Sequence, residues 1–518
     1  MNIIVAICKK NNGIGLDNKL PWKLSGDMKY FKDLTTGSYS SNINSNNNSN
    51  NSNNNSNNNS NNNSNNNSNN NSNNNSNNLK NIVVMGRKTW ESIPSKFKPL
   101  ENRINVILSR NTETDYKNII ESYKDTYLLN SFELFLNFLD TNNYNHNNVY
   151  IIGGEQIYKE SLNRNLVNKL YVTEVYTTFI CDSYFPSIDD SIFKLKNISK
   201  FQHENSIDYR FTEYININNS IDKTVWENKE ELQYIQALHK IITEGIESDD
   251  RTGVGTYSIF GEKFVYDLSD TFPALTTKRI FFKGIFEELM LYISGKTDNS
   301  ILNDKNIHIW DGNTTREFLD KRGLTHYPAN DMGETYGFNF RHYGAEYKTC
   351  KESYGEQGFD QIEYVLNLIR KNPTSRRIII NLWNPATMHK AALPACLCFY
   401  QFYVDTKNKK LNLQIYIRSS DFFLANNWNT VTGALLVHMI CNLSDIDLTP
   451  VKLSVITGDT HIYKSHLNQV KENLNRTPTP YPKLVIKDRK TNLKDYKYED
   501  FKLIGYFPDK NISAPMAV

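Results

Sequence analysis

The chain predicts two folds in series: an α/β unit on a mostly parallel central sheet, then an α+β unit. Three observations carry this. Short apolar runs alternate with amphipathic stretches as far as about Asn218, the rhythm of a parallel sheet with helices packed on it. Near Glu230 a different pattern begins and runs to Val518. The 518 residues also suffice for more than one domain at roughly 150 residues each.

In the first unit, residues 5–7, 82–85, 104–108, 149–152 and 170–172 read as buried strands. Helical stretches fall near 27–34, 89–93, 132–139 and 156–162. Residues 38–78 stand apart: they are almost wholly Asn and Ser in an Asn-Asn-Asn-Ser repeat, uncharged, with one aliphatic residue, Ile43. Such a tract cannot bury enough surface to offset its ordering entropy, so a disordered loop inside the first unit is expected. It is not a boundary, because the sequence on both sides completes one pattern. The expected domains are 1–218 and 228–518, joined by a short linker at 219–227. The second opens with a helix whose apolar face carries Leu232, Ile235, Leu238, Ile241 and Ile242.

A formal net charge of +3 gives no global field for nucleic acid or membrane, so anion binding must come from locally placed arginines. Cys8, Cys181, Cys350, Cys396, Cys398 and Cys441 contain no Cys-x-x-Cys pair, and no metal site is expected. The apolar start lacks the basic flank and longer core of a signal peptide. No apolar stretch approaches the ~20 residues that span a bilayer. A cytoplasmic enzyme with reduced thiols is expected.

Three features of the first unit invite chemistry. Gly13-Ile14-Gly15 precedes Leu20-Pro21-Trp22 and then Asp27, a carboxylate on an apolar helix face. That is costly unless the acid meets a cation or a multi-donor ligand, although a helix N-terminus alone also favours an acid there. Gly86-Arg87-Lys88-Thr89-Trp90 follows a strand and offers two cations and a hydroxyl at a helix start, as a phosphate cradle would. Gly153-Gly154 lets backbone approach a ligand closely, or simply turns the chain.

In order and spacing these motifs, with Val149-Tyr150-Ile151-Ile152-Gly153-Gly154-Glu155-Gln156-Ile157-Tyr158, resemble dihydrofolate reductase across residues 1–218 outside the Asn/Ser tract. The resemblance implies NADPH as hydride donor. It implies that Asp27 binds the pteridine edge and assists protonation at N5, with Thr173 hydrogen-bonded in the Asp27 region. Val5 and Ile152 would line the pterin pocket, with Phe31 and Ile93 packed on the folate and Arg103 paired with its glutamate carboxylate. Arg87, Lys88, Thr89, Ser109 and Arg110 would hold the cofactor phosphates, with Gly15, Gly153, Gly154 and Tyr158 along the same cofactor. A cis Gly153–Gly154 peptide is also implied.

In the second unit, Arg251, the pair Arg376-Arg377, and Arg418 could converge on a dianionic phosphate or form separate surface salt bridges. Cys396, in Leu393-Pro394-Ala395-Cys396, reads alone as a core thiol; beside converging arginines it becomes a nucleophile. With Tyr336-Gly337-Phe338-Asn339-Phe340-Arg341, Gly458-Asp459-Thr460-His461-Ile462-Tyr463 and the terminal Met516-Ala517-Val518, the pattern resembles thymidylate synthase over 228–518. The expected architecture is thus a dihydrofolate reductase-like α/β domain fused to a thymidylate synthase-like α+β domain.

This second resemblance implies that Cys396 adds to C6 of dUMP and that the activated C5 attacks methylenetetrahydrofolate. Arg251, Arg418 with Ser419, and Arg376 and Arg377 from a partner subunit would grip the phosphate, making the enzyme an obligate homodimer. Asn429 would read the uracil amide edge, and His461 and Tyr463 the sugar hydroxyl. Glu288, through ordered water, would manage protons at the ring carbonyl, and Tyr336 would position the water that removes the C5 proton. Asp421, Lys278 and Trp310 would meet the folate, with Asp421 beside the nucleotide as well, and Val518 would close over both. Two departures stand out. Leu397 follows the nucleophile where the family usually has histidine, and Leu424-Ala425-Asn426-Asn427-Trp428-Asn429 replaces a usual Leu-Gly-x-Pro-Phe-Asn. Rival readings are a pyrimidine hydroxymethylase, a binding protein with catalysis lost, and a chain with one working half; Asn429 weighs against a cytosine-specific hydroxymethylase.

Overall fold

The computed structural model describes residues 1–39, 80–111, 114–142, 148–250 and 252–516. The expected disordered tract therefore lies outside the described residues apart from Ser38 and Tyr39, and so do Arg251 and Val518. The chain divides into two compact units, Met1–Trp226 and Glu227–Val518.

The first unit is built on a nine-stranded sheet. Its centre is parallel: Asn2–Cys8 lies between Lys169–Val175 and Val149–Gly153, followed outward by Asn81–Gly86, Arg103–Leu108 and Thr126–Leu129. Both faces are covered, so the strands read as continuous apolar runs. Ile3, Val5, Ile7, Ile82 and Val84 pack into one core, whereas Ile4, Val83 and Met85 pack into the other with Tyr30, Leu34 and Trp90. Three antiparallel strands, Phe193–Ile198, Gln202–Glu204 and Ile207–Asn216, complete the edge beyond Lys169–Val175.

The second unit carries a six-stranded sheet in the order Ile246–Ser248, Thr256–Asp267, Thr449–Tyr463, Lys410–Asp421, Leu397–Asp405, Ile379–Asn381. All its pairings are antiparallel except that between Lys410–Asp421 and Thr449–Tyr463, which are joined by the core helix Asn426–Cys441. Phe402, Leu413, Val455 and Phe264 face this core. The expected opening helix is Lys229–Glu244, and its fully buried Glu231 accepts hydrogen bonds from the backbone N–H and hydroxyl of both Thr276 and Thr277 at 2.7–2.9 Å. Four donors satisfy a carboxylate that burial would otherwise make costly, and they pin the segment leading to Lys278.

Candidate active sites

In the first unit, Asp27 sits in the first turn of the helix Ser25–Thr36 and is 8 % exposed. The Thr173 hydroxyl, on the neighbouring sheet, donates to its Oδ1 at 2.6 Å. Burial pushes the carboxyl up to about 6, against the pull of that hydrogen bond and with a small push from the charge of Glu204. Glu204 itself accepts from the Ser25 and Gly26 N–H groups at 2.7 and 3.1 Å, tying the start of the helix to the edge of the sheet. The pairing Ala6↔Thr173 brings Val5 alongside, and Ile152 lies one residue before the end of the strand on the other flank of Asn2–Cys8. Trp22, 6 % exposed, has an indole Nε1 with no hydrogen-bond partner among the described residues.

Phe31 is half-buried one helical turn beyond Asp27, and the Arg103 guanidinium lies 5.9 Å from its ring centre. Arg103 is 6 % exposed and donates to the Thr35 hydroxyl at 2.8 Å and the Glu101 carbonyl at 2.9 Å. It makes no salt bridge among the described residues, an expensive state for a buried cation that a ligand carboxylate would relieve. Ile93 is half-buried just after the helix Arg87–Ser92.

The glycine turn and the basic helix start meet. The Gly153–Gly154 peptide is cis, and a Cβ on Gly153 (φ 146°) would lie 2.8 Å from the Thr89 hydroxyl oxygen. Arg87, Lys88 and Arg110 are exposed; Arg87 pairs with Glu91 at 2.9 Å, and Ser109 is buried at the end of a neighbouring strand. A cradle that tolerates no side chain, beside cations and hydroxyls, suits a phosphorylated dinucleotide. Gly15 is half-buried and paired with Ser183. Tyr158 is packed inside, its hydroxyl donating to the Ile4 carbonyl at 3.0 Å.

In the second unit, sheet register assembles the site. Leu397 pairs with Ile417, and the Arg418 N–H donates to the Cys396 carbonyl at 2.9 Å. The Arg418 guanidinium then curls back, donating to the carbonyls of Ala395 and Pro394 at 2.9 and 3.1 Å and lying 3.8 Å from the Cys396 sulfur. It also packs 5.0 Å from the Trp383 ring centre. Cys396 is partly exposed, whereas burial raises the thiol of Cys398, which lies inside the strand. The Tyr336 hydroxyl accepts the Cys396 N–H at 2.8 Å and the Leu397 N–H at 3.4 Å, and its ring stacks on Tyr292.

Buried Glu288 accepts from the Trp310 indole at 2.8 Å and the Trp428 indole at 2.6 Å. Its carboxyl is raised by burial, which these bonds and one from Tyr292 oppose. Asp421 pairs in register with His461, Ser419 with Asp459, and Asn429 is half-buried in the first turn of the crossover helix. His461 is held by Asp459 at 2.7 Å and lies edge-on to Tyr463 at 5.3 Å. Lys278 donates to the Phe423 carbonyl and lies over the Phe423 ring; burial lowers its ammonium to about 8, against the attraction of Asp421. Arg376 and Arg377 are exposed before the edge strand and form no salt bridge among the described residues. The end of the described chain is held by His466, whose Nε2 donates to the Pro515 carbonyl at 2.7 Å.

Trp428 had no role from the sequence. The signal available was a tryptophan inside an altered motif, since a buried indole N–H needs an acceptor.

Two family models match the chain: dihydrofolate reductase over residues 1–40 and 70–216, and thymidylate synthase over 232–518. The first match breaks only within the Asn/Ser tract. The bifunctional dihydrofolate reductase-thymidylate synthase of Paramecium tetraurelia is 38 % identical over 98 % of this chain and 97 % of its own length. Those of Glycine max and Plasmodium chabaudi are 36 % and 34 % identical, over 99 % and 98 % of this chain and 95 % and 94 % of theirs. Among the described residues no helix is long and apolar enough to cross a membrane.

Proposed function

The chain belongs to the bifunctional dihydrofolate reductase-thymidylate synthase family, and on that premise we propose how its residues divide the work. It is an enzyme with two activities, reducing dihydrofolate with NADPH and methylating dUMP with methylenetetrahydrofolate. The synthase releases the dihydrofolate that the reductase consumes. The reading that the two sites are Asp27-centred and Cys396-centred rests most on one observation, the Arg418 guanidinium 3.8 Å from a partly exposed Cys396 sulfur.

In the reductase, NADPH supplies a hydride when bound. Arg87, Lys88, Thr89, Ser109 and Arg110 hold its phosphates, and Gly15, Gly153 and Gly154 admit its backbone-hugging parts. Asp27, held by Thr173, hydrogen-bonds the pteridine edge; because burial keeps it partly protonated near neutral pH, it sustains protonation at N5. Val5, Phe31, Ile93 and Ile152 enclose the folate, and Arg103, which has no ion pair among the described residues, takes its carboxylate. Tyr158 supports this wall through Ile4.

In the synthase, the Cys396 thiolate adds to C6 of the uracil, and the electron pair moves to C5, which attacks the folate methylene carbon. The C5 proton leaves to a water held near Tyr336. Elimination of the folate and its hydride transfer to the exocyclic methylene give the methyl group and dihydrofolate, and Cys396 departs. Arg418 and Ser419 bind the phosphate with Arg251, Asn429 reads the amide edge, and His461 and Tyr463 the sugar. Asp421, Lys278, Trp310 and Val518 serve the folate side.

We also propose a homodimer. Register puts Val265, Tyr403 and Tyr416 on the sheet face opposite the core, and all three remain exposed. Exposed Arg376 and Arg377 are free to serve a partner's site. The six cysteines are thiols not joined in disulfides among the described residues, which supports a cytoplasmic setting. Mixing inactive Cys396→Ala chains with inactive Arg376→Ala/Arg377→Ala chains tests the shared site. Refolded mixtures are expected to regain dTMP formation, because the heterodimer holds one complete site. Mixtures that exchange subunits yet stay inactive refute the sharing.

A further inference from the structure

Glu288 is buried among neutral groups. Tyr292 lies one turn along its own helix, Phe282–Ile293, and Tyr336 and Tyr400 face it from packed elements. No cation pairs with it among the described residues. Its two oxygens are divided between two indoles: Trp310 takes Oε1 and Trp428, 140 residues away in sequence, takes Oε2. The helix is shaped to admit the second indole. A Cβ on Gly284 would lie 2.9 Å from the far edge of the Trp428 ring and 2.6 Å from Phe281. Trp428 is therefore more than a bulky substitute in an apolar floor, since a phenyl ring of similar outline could donate nothing to Oε2.

We propose that Trp428 is a positioning residue for dUMP methylation: its indole N–H, opposite that of Trp310, locks the Glu288 carboxylate in one orientation through the proton transfers. This rests on the reading of Glu288 as the group that handles protons at the pyrimidine carbonyl. A carboxylate with one free oxygen could rotate, and a buried unsatisfied oxygen would favour the protonated form. The altered Asn-Asn-Trp-Asn segment then does chemical work: it supplies a donor from the crossover helix.

The test uses the full-length enzyme and its synthase activity, with reductase activity of the same sample reporting folding. Trp428→Phe is expected to lower kcat for dTMP formation about tenfold, the loss of one hydrogen bond to a charged group. The acidic limb of the kcat–pH profile should move upward by about one unit, while the Kd of dUMP alone changes less than about twofold. Gly284→Ala, which keeps the indole but crowds it, should move the limb the same way. Two outcomes overturn the proposal: an unmoved limb in both variants, or equal losses of dUMP affinity and rate without displacement, which would mark the indole as packing only. Glu288→Gln separates this from its premise. Undiminished turnover there removes the role of Glu288 itself, whereas an inactive Glu288→Gln beside an unaffected Trp428→Phe removes only the role of Trp428.

Discussion

The two units each bury a carboxylate at their site, and they stabilise it differently. Among the described residues Asp27 receives one side-chain hydrogen bond, from Thr173. Glu288 receives two indole donors and a phenol. Burial raises both, yet Asp27, in the first turn of a helix, has a single side-chain donor among the described residues, on Oδ1. Under the roles proposed above, the single donor leaves Asp27 an oxygen with which to meet substrate directly, while Glu288, held from both sides, would act through water.

The largest effect is expected from Cys396→Ala, which should lower dTMP formation by at least about 10⁴-fold, as loss of a covalent nucleophile does, with NADPH oxidation unchanged. Spectrophotometry of both reactions on one sample checks it, and a fall in both rates would contradict independent sites. Asp27→Asn should lower reductase turnover about 10²–10³-fold near neutral pH and spare the synthase. The pH dependence has a definite sign. Asp27 loses its proton as pH rises through about 6, so single-turnover hydride transfer should decline above that pH in the parent and be flat there in Asp27→Asn.

Stability follows the same linkage. The folded carboxyl titrates near 6 against about 3.9 in an unfolded chain, so the folded state binds more protons between those values. Its contribution therefore falls as pH rises from about 4 to about 6. Asp27→Asn should stabilise the reductase transition by about 1–3 kcal/mol at pH 8, and by nothing near pH 4, as calorimetry of the full chain would register. A gain at both pH values would assign the effect to packing instead. The smallest effect is expected from Thr173→Val, which removes the single donor: the decline in hydride transfer should move to higher pH by up to about one unit. A shift to lower pH would show that the hydroxyl does not favour the ionised form.

The legible part of the fold was the part buried on both faces. Runs such as Ile82-Val83-Val84-Met85 are apolar because helices cover each side, and the observed strand is Asn81–Gly86. The strand Ile207–Asn216 is not legible as an apolar run because polar residues such as Asp208 and Glu213 interrupt it in the antiparallel part of the sheet. At the sites, Asp27 and Cys396 were legible because each lies inside a dense local motif. The Trp428–Glu288 bond was not, because two segments 140 positions apart make it and no local pattern encodes their meeting.

The single parallel pairing in the synthase sheet has a further consequence. Strands Lys410–Asp421 and Thr449–Tyr463, with the helix Asn426–Cys441 crossing between them, carry Arg418, Asp421, Asn429, Trp428 and His461 on one continuous length of chain. Remodelling this enzyme toward another nucleotide would thus have to proceed by exchanging side chains in place, because inserting or deleting one residue in either strand would turn the proposed recognition residues beyond it to the other face together.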